Sequence, residues 1–165
     1  MDLPRFFRHS LVPHWWARRT LPPGLLARIE RAIGDSEQRH AGELRFVIEG
    51  PLPASVLLAG QTSRERAIDL FAQLRVWDTA ANSGVLIYVQ LVDRKVEIVA
   101  DRGIHTRVGQ GFWEGVCRRL QEDFRAGRFE TGALAAIAEI TEALANHFSP
   151  DSNNPNELPD QPLVL

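Results

Sequence analysis

One cysteine, one lysine and one tyrosine are all that 165 residues contain of these types. The lone Cys117 rules out an internal disulfide and the cysteine-rich zinc modules. It falls on the apolar stripe of a predicted helix, where cysteine packs as a small hydrophobe. Lys95 is the only lysine, so positive charge is carried almost wholly by arginine. No apolar run reaches the ~20 residues that a membrane-spanning helix needs. The N-terminus has neither the continuous apolar centre nor the small-residue cleavage site of a secretory signal, and a cytoplasmic location is the expectation. A net charge of −2 supplies no overall attraction to nucleic acid, which is not an expected partner.

What remains is an ordinary globular composition, 44% hydrophobic and 24% charged, in a length suited to one domain. Residues 1 to 20 form a basic, aromatic arm. Arg5, Arg8, Arg18 and Arg19 alternate with Phe6, Phe7, Trp15 and Trp16, and Asp2 is the only acid. Pro22 and Pro23 open a helix carrying Leu25, Ile29, Ala32 and Ile33. Leu44 to Glu49 alternates as a strand does. Thr62 and Glu65 make a capping box for a helix expected to bury Ile68, Phe71 and Leu74. Val85 to Val92 reads as a central strand buried on both faces, and Val96 to Ala100 as the returning strand. Two amphipathic helices follow. One carries Trp113, Val116, Cys117, Leu120 and Phe124, and the other Leu134, Ile137, Ile140 and Leu144, with Gly127 between them. Residues 21 to 148 are thus the domain, and 149 to 165 an acidic, Pro- and Asn-rich tail without helix. The fold class is α/β, a three-layer α/β/α sandwich with a small mixed sheet. The first two strands are parallel because a helix joins them, and the next pair is an antiparallel hairpin.

A hairpin with Val92 opposite Lys95 sets Asp101 against Leu86 and brings His105 beside Asn82. Its open end then gathers Asp78, Asn82, Asp101 and His105, a donor set for one divalent cation. Arg102 and Arg107 lie next to them in sequence and could hold a phosphate. Asp93 belongs at the opposite end. The plain alternative is that these are loop formers and caps, and that the Gly109-x-Gly111 pair only shapes a turn.

These residues carry a family resemblance. Asn82-Ser83-Gly84-Val85-Leu86-Ile87, Asp93-Arg94-Lys95-Val96-Glu97-Ile98 and Asp101-Arg102-Gly103-Ile104-His105 resemble the TPM domain family. Phe124-Arg125-Ala126-Gly127-Arg128-Phe129 and Gly132 resemble its later motif, so the likeness spans about residues 43 to 148. The family includes a thylakoid lumen phosphatase-like protein and a photosystem II repair protein. The resemblance implies an α/β/α sandwich, with acid phosphatase activity or calcium binding in some members. Where members often have Asp-Asn-Gly this chain has Asn82-Ser83-Gly84. Where they often have Gly-Tyr-Gly-Leu-Glu it has Asp101-Arg102-Gly103-Ile104-His105. One acid fewer and one imidazole more shift the expected ion from calcium toward zinc or manganese. Many members also carry a signal sequence and a C-terminal membrane helix, neither of which is expected here.

Two functions of different kinds follow. One is a non-catalytic or weakly catalytic module, cation-binding or not. It docks on a membrane-associated protein or an anionic membrane surface through the arm. The other is a metal-dependent phosphatase acting on phosphate monoesters, with a metal-bound water as the attacking group. Against a docking role for the arm stands the reading that Trp15 and Trp16 pack on the domain.

Overall fold

The computed structural model describes residues 2 to 150 and 156 to 165. Met1 and residues 151 to 155, part of the expected acidic tail, lie outside the described residues. The chain runs α1 (Leu3–Ser10), α2 (Trp16–Thr20), α3 (Leu25–Glu37), β1 (Leu44–Glu49), α4 (Ala54–Leu58) and α5 (Ser63–Gln73). It continues through β2 (Val85–Gln90), β3 (Lys95–Ala100), α6 (Arg102–Val108), α7 (Gln110–Arg125), α8 (Phe129–Ala145) and β4 (Leu163–Val164). Among the described residues, no helix is long and apolar enough to cross a membrane.

The four strands stand in the order β3-β2-β1-β4. β1 and β2 are parallel, as the helical connection between them requires, and β2 and β3 are antiparallel. On one face α3, α7 and α8 bury Ile29, Phe46, Ile87, Val116 and Ile137 in the main core. On the other, α5 covers a smaller core of Val47, Leu70, Leu86 and Tyr88. This is the expected α/β/α sandwich with a mixed sheet. Gly127, at φ 76°, takes the left-handed conformation that ends α7 and lets α8 turn back.

Because helices cover both faces, the polar residues of β1 are buried rather than solvated. Glu49 is 2% exposed and accepts from Arg66 Nε and Nη2 at 3.1 and 2.7 Å and from the Tyr88 hydroxyl at 2.6 Å. Arg45 donates to the carbonyls of Pro159 and Gln161 at 2.6 and 2.5 Å. The tail therefore returns to the sheet. β4 pairs with β1, and Leu158 enters the smaller core. The capping box forms as read, with Thr62 and Glu65 bonded reciprocally. The helix behind it is rotated, however. Ala67 and Leu70 are its buried residues, while Ile68 is 47% exposed. Ala67, Leu70 and Leu74 share a stripe at the same spacing, so periodicity alone did not choose between the two faces.

The hairpin register also differs from expectation. Gln90, not Val92, lies opposite Lys95, and Val85 lies opposite Ala100. Asp101 therefore faces Gly84, donating its amide to the Gly84 carbonyl at 2.8 Å. The Gln90 side chain explains the earlier stop. Its Oε1 accepts the Asp93 amide at 2.8 Å, and its Nε2 donates to the Gly50 carbonyl. This closes a four-residue turn from Leu91 to Arg94, with Arg94 at φ 53°. A shift of two residues keeps every side chain on its own face, which is why the apolar pattern could not expose it.

Candidate functional site

Asp101 sits where β3 becomes α6. Its Oδ1 accepts the Arg102 amide at 2.6 Å, which makes it the N-cap of that helix. Its Oδ2 is buried and has no hydrogen-bond partner among the described residues. A buried carboxylate oxygen left unpaired costs free energy, so it marks a place where a ligand atom would be welcome. Asn82 holds the facing turn at φ 50°, a left-handed conformation that asparagine tolerates. A Cβ on Gly103 would come within 2.3 Å of the Asn82 carbonyl oxygen, so only glycine lets the two segments meet.

One shallow cavity is lined by Asn82, Asp101, Arg102 and Arg107, together with Gly103 and Thr106. Four of the six residues singled out from the sequence thus meet. Asp78 is exposed before the turn and does not line this cavity. His105 does not either. The expected strand stops at Asp101, and helix α6 turns His105 toward a separate cavity with Arg64, Glu97, Trp113 and Cys117. Arg107 is partly committed, donating to the His147 carbonyl at 2.6 Å and stacking on Phe148 at 4.6 Å. Ser83 is fully buried and donates to the Ala41 carbonyl at 3.1 Å, a structural role. Among the described residues, no three His, Cys, Asp or Glu side chains gather closely enough to hold a metal ion. Cys117 packs against the main core as expected, and burial pushes its thiol up to about 11.

The opposite end of the sheet holds a second constellation, centred on Asp93. The Asp93 carboxylate accepts from Arg5 Nε at 2.9 Å and pairs with Arg5 Nη2 at 2.8 Å. His9 Nε2 is 3.0 Å from the other carboxylate oxygen, while His9 Nδ1 accepts the Leu52 amide at 2.9 Å. That amide fixes the tautomer, leaving the proton on Nε2 to be donated to Asp93. Burial pushes the Asp93 carboxyl up, but hydrogen bonds from Arg5 and His9 outweigh it and hold it below its usual range. The arm is thereby fastened to the hairpin turn, and Ala17 and Trp16 complete its packing against the main core.

The TPM domain profile matches residues 18 to 143. The chain belongs to the TPM domain family. Among solved structures, this TPM domain resembles the BA42 protein of the psychrophilic bacterium Bizionia argentinensis. The identity is 30% and the TM-score 0.74, over 88% of this chain and 95% of that one. The N-terminal domain of a protein from P. gingivalis shares the fold at 16% identity and a TM-score of 0.62, over 88% and 96% of the two chains. No curated protein matches. The profile begins within α2, so helix α1, which grips Asp93, lies before the matched TPM region. The returning segment from 156 to 165 lies beyond it. The latch went unseen in the sequence because its partners are 84 and 88 positions apart.

Proposed function

We propose that this TPM domain is an interaction module, non-catalytic or weakly catalytic, that docks through α1 onto an anionic membrane surface. The observation that carries the reading is the orientation of α1. Its polar side, Arg5 and His9, faces inward to Asp93. Its apolar side, Leu3, Phe7 and Leu11, points outward at 51%, 61% and 82% exposure. A helix serving only its own core would be turned the other way. Trp15, 59% exposed, lies beneath the Arg19 guanidinium at 5.1 Å; Arg18 is exposed, and Arg8, though 55% exposed, keeps its guanidinium 3.8 Å from the Asp93 carboxylate. Apolar and aromatic side chains among arginines are the composition that settles at a charged headgroup layer.

Deleting the arm would remove the buried His9 and Ala17 and disturb the domain, so point changes make the sharper test. Phe7→Ser combined with Leu11→Ser should lower co-sedimentation with phosphatidylglycerol vesicles at least tenfold and leave the melting temperature unchanged, both side chains being exposed. Equal sedimentation of the double variant, or none by the parent protein, would sink the lipid reading.

A second reading rests on the unpartnered Asp101 Oδ2. It would ligate a divalent ion together with Asn82 and water, beside Arg102 and Arg107 as the anchor for a phosphate monoester. With a single carboxylate in the cavity the donor set is short for calcium, and with His105 turned away it is all oxygen, so manganese is the better fit and zinc the weaker. Zinc or manganese at millimolar concentration should raise the melting temperature by mass action. Asp101→Asn should remove the gain, and His105→Ala, turned away from this cavity, should retain it. A melting curve indifferent to both ions would leave Asp101 as a helix cap.

A further inference from the structure

At the hairpin turn, remote from Asp101, a cavity of about 230 Å³ opens between α2, the β2–β3 hairpin and the α7–α8 turn. Its walls are Trp16, Val89, Leu91, Val96, Phe124 and Phe129. Phe124 and Phe129 meet edge to face with their centroids 5.0 Å apart, a rigid apolar floor. The polar side chains in the wall are spent on backbone. Thr20 donates to the Trp16 carbonyl at 2.9 Å, Gln90 bridges Gly50 and Asp93, and Gln121 accepts the Val96 amide at 3.3 Å.

The mouth has a different character. Arg94, Lys95 and Arg125 border it, all three exposed. Among the described residues no Asp or Glu lines the cavity, although acidic residues outnumber basic ones in the chain by 21 to 19. Of the acids next in sequence to the lining, Asp123 pairs with Arg128 and Glu130 with Arg28, while Glu122 is exposed and does not line the cavity. Asp93 is held by Arg5 and His9, and the charge of Glu97 faces Arg64 and Lys95. An apolar interior beneath a wholly cationic rim is complementary to one kind of molecule.

We propose that this cavity binds a small organic anion with an apolar body, of the medium-chain carboxylate class. An apolar cavity of about 150 Å³ admits benzene, so 230 Å³ admits a chain of roughly seven or eight carbons. The tail lies against Trp16, Phe124 and Phe129 and displaces water from them. The carboxylate stays at the rim, where the guanidinium of Arg94 or Arg125 offers paired donors matched to its two oxygens.

The test uses the full chain and n-octanoate below its micelle concentration, with 1-octanol as the uncharged control. Titration followed by nuclear magnetic resonance should give saturable binding, with a Kd on the order of 0.1–1 mM and a shift at the Trp16 indole. Arg94→Glu combined with Arg125→Glu should weaken octanoate at least tenfold and leave octanol unchanged. Both positions are exposed, so the variant should melt with the parent protein. Thr20→Phe, which fills the cavity from its edge, should abolish binding of both. Absence of saturable octanoate binding overturns the proposal. So does a charge-reversed variant that binds octanoate as tightly as the parent, or a Thr20→Phe variant that still binds either molecule.

Discussion

Replacing Asp93 by alanine is expected to release α1 from the domain. The change leaves the Arg5 guanidinium without its carboxylate and strands the donor of His9, a ring that is 1% exposed. Removing one partner of such a pair costs about 3 kcal/mol, because the other charge stays out of water without compensation. That corresponds to roughly a hundredfold increase in opening, confined to α1 and its contacts with α4. Amide exchange at Phe6 to Ser10 should accelerate by that factor, while Ile87 and Ile137 in the main core keep their protection. Asp93→Asn should recover part of the loss, since its oxygen still accepts from His9. Unchanged exchange in α1 of the alanine variant would show that apolar packing, not the latch, holds the arm.

Alkaline pH should destabilise the domain through the carboxyls that receive the returning tail. Glu43 is 1% exposed and accepts the amides of Glu157 and Leu158 at 3.2 and 3.1 Å. Glu37 accepts the Leu44 amide at 3.0 Å and shares a side-chain hydrogen bond with Asp160. Burial pushes Glu37 up to about 9 and Glu43 up to about 7, from the ordinary 4.5. Above pH 4.5 the unfolded chain gives up these protons and the folded chain keeps them. Their stabilisation is therefore complete in acid and falls away as pH rises through 7 for Glu43 and 9 for Glu37. His40 works in the opposite sense. Burial holds it neutral to about 4, so its contribution is lost as pH falls below 6.5.

Between pH 7 and 9 the slope belongs mainly to Glu37. One proton over two pH units is worth roughly 3 kcal/mol, or a fall in melting temperature of roughly 10 °C. Glu37→Gln should flatten that limb. Glutamine can accept from Leu44 and donate to Asp160 as the protonated acid does, but it has no proton to lose. Melting curves of the two proteins across this range decide the matter, and parallel slopes would remove Glu37 from the account.

Much of the fold was legible because its signals are local. Apolar spacing of three and four set α7 and α8, and the Thr62–Glu65 pair set the start of α5. The continuous run from Val85 marked the central strand. The Asn82-Ser83-Gly84 and Asp101-Arg102-Gly103 motifs pointed to the TPM family, whose profile covers residues 18 to 143. The candidate cation site was legible only in part. Asn82 and Asp101 do share a cavity with Arg102 and Arg107, but carrying the hairpin register outward past the strand end does not reach His105, because α6 begins at Arg102. The cue to that start was present in Asp101 itself, an acid able to cap a helix.

What the sequence determined, then, was what residues within a few positions of one another fix: helices α3, α5, α7 and α8, strands β1 to β3 with their parallel and antiparallel relations, and the family; the short helices α1, α2, α4 and α6 were not legible in it. Only the tertiary structure decided the rest. The hairpin register, the rotation of α5, the inward turn of Arg5 and His9 toward Asp93 and the return of residues 156 to 165 to the sheet all depend on partners distant in the chain. A two-residue slip leaves each side chain on its own face, and an amphipathic helix has no inside until something is packed against it. In α1 that something is a carboxylate, so Arg5 and His9 face in and Leu3, Phe7 and Leu11 are left exposed.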